Sequence, residues 1–389
     1  MPVLNNKPPY RVPLMDEIKS IPWNGYNVIS TFSGCGGSSL GYKIAGFKVL
    51  WANEFIPAAQ NTYRLNHPDT ILDTRDIRKV RPEEILESIG LKIGELDILD
   101  GSPPCASFST AGKREKGWGQ VKKYSDSNQR TDDLFFEYSR ILRGLQPKVF
   151  IAENVSGLVK GTAKGYFKII LAELKACGYN VKAKLLDAQW LGVPQSRQRI
   201  IFQGVRTDLC LEPVFPTPLN YRYSVRDALP YILKVRKSKG FKEEEYINSD
   251  RCIADTIGSS PVSGCNINNG VGKIEVETDI SRFAIGREWD KLEPGEQSKK
   301  YYQLKKAPIE NPCQTITQKV GETSAAGVVH PTERRKFSIA ELKRICAFPD
   351  DFILTGSYAQ QWERLGRAVP PVMMSYIAKT IRDEILEKL

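Results

Sequence analysis

The residues best placed for chemistry lie in the stretch Asp97-Ile98-Leu99-Asp100-Gly101-Ser102-Pro103-Pro104-Cys105. A short apolar run reads as a strand, breaks at Gly101 into two prolines, and meets a thiol at once. Proline fixes φ and has no N–H, so the backbone leading to Cys105 is stiff. Open α/β sheets place their chemistry at the carboxyl ends of strands, which makes Cys105 a candidate reactive group. The competing reading is an inert cysteine buried in a tight turn.

Three further sets of residues could serve the same end. Ser33-Gly34-Cys35-Gly36-Gly37-Ser38-Ser39 is a glycine turn that lets a ligand approach bare backbone at a helix N-terminus, with serines placed to cap the helix. Glu54 follows Gly34 by 20 residues, at the end of the next strand, where a carboxylate can accept from ribose hydroxyls. Asp76, after a third strand, could accept from an adenine amino group or simply cap a helix. The position of Ser39 lacks the Gly or Ala that a nicotinamide fingerprint asks for. Glu153-Asn154-Val155 follows the strand 148–151, and an acid there is costly to bury without a partner. Gln195-Ser196-Arg197-Gln198-Arg199 opens another apolar stretch; on one strand the two guanidiniums face the same side.

Positioning these groups requires a sheet. Strands are expected at 26–32, 47–52, 70–72, 97–100, 148–151 and 179–186, with helices from about 40, at 57–66, 82–89, 132–145 and 166–177. Strands and helices alternating at these lengths mean an α/β fold with a doubly wound, mostly parallel sheet. After Arg206 the rhythm is lost: residues 208–310 are rich in Pro, Gly, Asn and mixed charge. Order returns with a capping box at Ser338 and Glu341 and a last helix from about 372. The expected division is therefore 1–207, a smaller irregular domain at 208–310, and 311–389 completing the first.

Composition narrows the setting. The 389 residues carry a net charge of +11, which suits a polyanionic partner. Residues 208–310 hold 16 basic and 16 acidic side chains and 311–389 hold 11 and 9, leaving 29 against 20 for 1–207. The excess sits with Cys105. Eight cysteines, no two within four residues, and two histidines argue against a zinc site and a disulfide scaffold, and for a reducing interior. No apolar run approaches the roughly 18–20 residues of a membrane span, and the first residues lack the apolar core of a secretory leader.

Taken in order, the motifs resemble one family, the cytosine-C5 DNA methyltransferases of restriction–modification type. The resemblance rests on Phe32-Ser33-Gly34-Cys35-Gly36-Gly37, Glu54, Asp76-Ile77, Pro103-Pro104-Cys105, Leu134-Phe135-Phe136-Glu137, Glu153-Asn154-Val155 and Gln195-x-Arg197-x-Arg199. It resumes with Arg335-Lys336-Phe337 through Phe348-Pro349 and Gly366 to Val369. It spans about 190 N-terminal residues and the last 60, and the family carries its variable target-recognition domain between them. Two departures stand out. Where the family has Asp-Leu-Phe entering the glycine turn, this chain has Ser30-Thr31-Phe32, and where it has Gly-Asn-Ser-Val, this chain has Gly366-Arg367-Ala368-Val369.

The resemblance implies a methyltransferase fold that uses S-adenosylmethionine as methyl donor and no metal, acting on a cytosine flipped out of duplex DNA. It implies Cys105 as nucleophile toward carbon 6, Glu153 at N3 and the exocyclic amine, Arg197 at the O2 edge and Arg199 in support. It assigns cofactor contacts to Phe32, Gly34, Gly36, Gly37, Glu54, Phe55, Asp76, Ile77, Pro104, Leu134 and Val369. DNA contacts fall on Ser109, Lys113, Arg114, Lys122 and Lys123, in a segment with glycines for mobility and Trp118 as a wedge. A monomeric cytoplasmic enzyme beside a cognate restriction endonuclease follows from the same resemblance. A methyltransferase acting on tRNA, a catalytically dead binding protein and a nicotinamide oxidoreductase are the competing readings; intact Cys105, Glu153 and Arg197 oppose the second.

Overall fold

The computed structural model describes residues 7–104, 122–124, 127–129, 133–159, 164–230, 278–318 and 327–389. The chain forms two compact units woven from alternating segments: Lys19–Asp187, Gln198–Thr217 and Met373–Leu389 make one, and Met1–Ile18, Ala188–Arg197 and Pro218–Val372 the other.

The first unit is built on a seven-stranded sheet. Its strands are β1 (Asn27–Thr31), β2 (Lys48–Asn53), β3 (Ile71–Asp73), β4 (Ile98–Gly101), β5 (Val149–Val155), β6 (Tyr179–Asp187) and β7 (Gln198–Arg206), in the order β3-β2-β1-β4-β5-β7-β6. Pairing is parallel from β3 to β5, while β7 runs antiparallel to both β5 and β6. The expected doubly wound, mostly parallel sheet is present. The connecting helices are α1 (Gly37–Ile44), α2 (Pro57–Asn66), α3 (Pro82–Ile89), α4 (Leu134–Leu145) and α5 (Lys164–Ala176). Helix α4 shows why they stay: Leu134, Phe135, Tyr138, Ile141, Leu142 and Leu145 recur at helical spacing and are all buried in one core with Phe150 and Phe202.

Two local expectations differ from what forms. The strand expected at 148–151 runs on to Val155, so Glu153 and Asn154 belong to the sheet itself and gain its rigidity. The serines of the glycine turn do not cap α1. Gly36 is the N-cap at φ 90°, with no side-chain hydrogen bond, and Ser38 and Ser39 already lie inside the helix. Only glycine suits Gly36 twice over: its φ is left-handed, and a Cβ there would sit 2.2 Å from the His67 ring.

The second unit holds α6 (Ile339–Ile345) and α7 (Tyr358–Arg367). The capping box expected at Ser338 and Glu341 is formed. A short parallel ladder joins Gln195–Ser196 to Cys313–Gln314, and Trp362 donates from its indole to the Thr317 carbonyl at 2.9 Å. A small core gathers Ile280, Ile285, Leu292, Leu304 and Val329. Residues 311–372 thus cluster with 218–310, and only the last 17 residues join the sheet unit. Near the N-terminus, the Tyr10 hydroxyl donates to the Arg344 carbonyl at 2.6 Å within this unit.

Candidate active site

Antiparallel register creates the central pair. Arg199 on β7 lies opposite Val155 of β5, and Ile201 lies opposite Glu153, so Arg199 and Glu153 are diagonal neighbours on one face of the sheet. Arg199 Nε comes to 2.6 Å from Glu153 Oε1, with the two side chains only 12% and 9% exposed. The approach is close but off the hydrogen-bond direction, so it is an ion pair rather than a well-formed hydrogen bond. Next along β5, Asn154 donates its amide to the Pro103 carbonyl at 3.2 Å. That bond fastens the proline turn to the strand bearing Glu153. The turn is also fixed at its base, where Gly101 leaves no room for a Cβ against Thr31 Oγ1 and the Tyr138 ring, each 2.5 Å from where it would stand. Pro103 is buried and Pro104 half-buried. Cys105, Ser109, Lys113 and Arg114 lie outside the described residues, as does Trp118. Lys122 and Lys123 stand on a short strand, Lys122–Tyr124, paired with Ser127–Gln129.

The glycine turn is held open by backbone strain and one carboxylate. Phe32 has φ 53°, a left-handed conformation a non-glycine residue rarely adopts, and Gly34 follows at φ 57°. A Cβ at Gly34 would meet nothing within 4 Å, so the turn borders open space. Glu54 is buried and braces the turn: its Oε2 accepts from the Gly34 N–H and its Oε1 from the Ile56 N–H, both at 2.7 Å. A carboxylate has about four acceptor positions, so these two amides orient Glu54 without filling its acceptor count. Phe55 beside it is 37% exposed. A glycine turn bordering open space, a buried acceptor and an exposed aromatic ring fit an adenosine-bearing cofactor.

Other expected contacts are engaged elsewhere. Asp76 caps the short 3-10 turn Ile77–Lys79 by accepting from the Arg78 N–H, and it pairs with the Arg78 guanidinium at 3.0 Å. Arg78 also binds Asp133 at 2.6 Å. Ile77 and Leu134 are buried members of the core, and Gly37 is buried in the first turn of α1.

Arg197 does not join Arg199. Their side chains were expected on one side of one strand, but the ladder is interrupted at Arg197 between Gln195–Ser196 and β7. Arg197 is 1% exposed, and its guanidinium donates to the carbonyls of Ile316, Gly366 and Arg367 at 3.2, 3.0 and 3.2 Å. Five N–H donors in a rigid fork suit such a nest of carbonyls. Val369, buried, follows in the same unit. The Arg367 side chain turns to Glu363, at 2.8 Å.

One polar residue escaped the sequence reading: Asp100, wholly buried on β4. Its signal was an acid inside an apolar strand, where a charge is rarely tolerated without purpose. Among the described residues no cluster of His, Cys, Asp or Glu could hold a metal ion, and no helix is long and apolar enough to cross a membrane.

A mostly parallel seven-stranded sheet with one antiparallel strand, a glycine turn after β1 and acids at the carboxyl ends of strands define this α/β fold and its site. The chain belongs to the C-5 cytosine-specific DNA methylase family, whose profile matches residues 26–383. It is similar to the Type II methyltransferase M.Sau96I of Staphylococcus aureus, 30% identical over 97% of this chain and 80% of that protein. It is also similar to M.FnuDI of Fusobacterium nucleatum, 31% identical over 93% and 95% of the two chains. Among solved structures, a DNA modification methyltransferase encoded within an E. coli prophage shares the fold with a TM-score of 0.67. The two are 24% identical, over 93% of this chain and 100% of that one. The protein is accordingly an enzyme that transfers a methyl group from S-adenosylmethionine to carbon 5 of cytosine in DNA.

Proposed function

We propose that the transfer takes place on a cytosine flipped out of a specific duplex sequence, through a covalent bond between Cys105 and carbon 6. The observation that carries this reading is the buried Glu153–Arg199 pair at 2.6 Å, on the strand that Asn154 fastens to the turn preceding Cys105. Carbon 5 of cytosine is a poor nucleophile. Addition of the Cys105 thiolate to carbon 6 forms an S–C bond, breaks the 5,6 double bond, and places negative charge on the ring. On binding the base, Arg199 turns from Glu153 to the O2 edge where that charge develops, and Glu153, taking up a proton as the pair parts, donates to N3 and accepts from the exocyclic amine. Arg199 thus takes the role expected of Arg197, because it shares the corner with Glu153 while Arg197 is committed to backbone carbonyls. Once carbon 5 carries the methyl group, its proton passes to solvent water acting as base, the 5,6 double bond re-forms and the S–C bond breaks to release the thiolate. S-Adenosylmethionine supplies an electrophilic methyl group; the glycine turn, Glu54 and Phe55 would hold it.

A stacked base cannot reach a thiol, so extrusion is part of the reading. Lys113, Arg114, Lys122 and Lys123 would meet phosphates, and residues 208–310 would read the target sequence. Relatives named Type II methyltransferases support a modification role beside a cognate endonuclease; a monomeric cytoplasmic enzyme belongs to the same proposal. The test is covalent trapping. Duplex DNA with 5-fluorocytosine at the methylated position should form a denaturation-resistant complex with the wild type, because fluorine at carbon 5 cannot leave as a proton. Cys105→Ala should form none and methylate nothing. Turnover by the alanine variant, or trapping on tRNA in place of duplex DNA, would overturn the assignment.

A further inference from the structure

Beneath the glycine turn lies a carboxylate that the reaction above does not use. Asp100 is 1% exposed and is the register partner of Ser30 across β1 and β4. Three hydroxyls donate to it. Ser38 and Ser30 reach Oδ2 at 2.7 and 3.1 Å, and Tyr42 reaches Oδ1 at 3.3 Å. Ser38 and Tyr42 stand one turn apart on the same face of α1. A single side chain therefore ties the first two turns of that helix to the ends of two strands. The N-cap of α1 is a glycine without a side chain, so the helix has no internal cap and is held from outside.

No cation pairs with Asp100 among the described residues, and the groups facing it are acids or neutral hydroxyls. They are Tyr42 on α1, Tyr63 on α2, Tyr138 on α4 and Glu153 on β5. Burial pushes the Asp100 carboxyl up to about 7, Glu153 adds to the rise, and the three hydroxyls oppose it. Such a group is a poor source of stability. With a folded pKa above its ordinary value of 3.8, Asp100 costs the fold stability as pH rises through that window toward 7. Its presence calls for another reason. Ser30 stands where the family has an aspartate, and Asp100 supplies a carboxylate at the same level of the sheet, one strand across.

We propose that Asp100 is a positioning residue for the methyl donor: through Ser30, Ser38 and Tyr42 it fixes the glycine turn and the first turns of α1 in the conformation that binds the cofactor. This rests on the glycine turn being the donor site. When ionised, Asp100 accepts all three hydroxyls; when protonated, it must turn one acceptor into a donor and loosen the arrangement.

The experiment compares wild type, Asp100→Asn and the exchanged pair Ser30→Asp/Asp100→Ser, each as full chain. Calorimetric binding of S-adenosylhomocysteine at pH 6 and pH 8 is read alongside thermal unfolding and hydrogen exchange of the Gly34–Leu40 amides. Wild-type affinity should fall from pH 8 to pH 6. Asp100→Asn should melt no lower than wild type, because it removes a buried charge. It should nevertheless bind about tenfold more weakly, lose the pH dependence and exchange faster in the turn. The exchanged pair should recover affinity to within about threefold of wild type, and it decides the matter if Asp100→Asn fails to fold. Wild-type affinity and pH profile in Asp100→Asn, or an exchanged pair no better than Asp100→Asn, would overturn the role of Asp100. A wild type that binds no S-adenosylhomocysteine would overturn the donor-site reading itself, and the inference with it.

Discussion

Arg197 and Arg199 are two residues apart in the chain and their surroundings are opposite in kind. The Arg197 guanidinium is held by three backbone carbonyls, those of Ile316, Gly366 and Arg367. Arg199 pairs with a carboxylate on the neighbouring strand and donates to a single nearby carbonyl, that of Gln198, at 2.8 Å. Main-chain carbonyls cannot leave, so the first guanidinium is a fixture of the second unit. A carboxylate with a second oxygen can exchange partners, so the other guanidinium is available to a substrate. The difference teaches that a motif of two arginines divides its labour by what surrounds each, not by residue type.

The sharpest way to break this comparison is at the corner itself. Glu153→Gln keeps shape but cannot deliver a proton, and the single-turnover rate should fall by about 10²–10⁴-fold with DNA affinity little changed. Arg199→Lys keeps the charge and loses the fork, and should cost about 10²-fold in the same rate. Unaltered rates in both would make this pair structural.

At Arg197 the effect should appear in stability instead. Arg197→Met fills a similar volume and leaves three carbonyls without their donor, which should lower stability by about 3 kcal/mol in denaturant unfolding. The rate per folded molecule should stay within about threefold. A stable Arg197→Met protein with a rate as low as that of the Arg199 variant would reverse the two roles.

The same contrast extends, with smaller effects, to the cofactor side. Glu54 is engaged with the Gly34 amide of the glycine turn and the Ile56 amide, whereas Asp76 serves Arg78 and its own 3-10 turn. Glu54→Ala should weaken S-adenosylmethionine binding about tenfold, and Asp76→Ala about threefold. Calorimetry giving the larger loss at Asp76 would show that it, rather than Glu54, is the principal acceptor.

Much of this was legible in one dimension. The alternation of strands and helices, the glycine turn and the capping box at Ser338 are written in neighbouring residues, because hydrophobic period and turn chemistry act over a few positions. The helix expected at 57–66 forms between the same two residues, since Pro57 opens it and its apolar stripe needs no distant information. The ordered motifs likewise carried the family, because each is a local string.

What only the tertiary structure decided depends on contacts far apart in sequence. The pairing of Arg199 with Glu153 follows from antiparallel register, and one residue of slip would turn both side chains to the other face. The commitment of Arg197 needs carbonyls more than 100 residues away. Asp100 looked like an acid misplaced in an apolar strand until Ser30, Ser38 and Tyr42 were brought around it. A sequence states which groups exist; register and packing determine which of them meet.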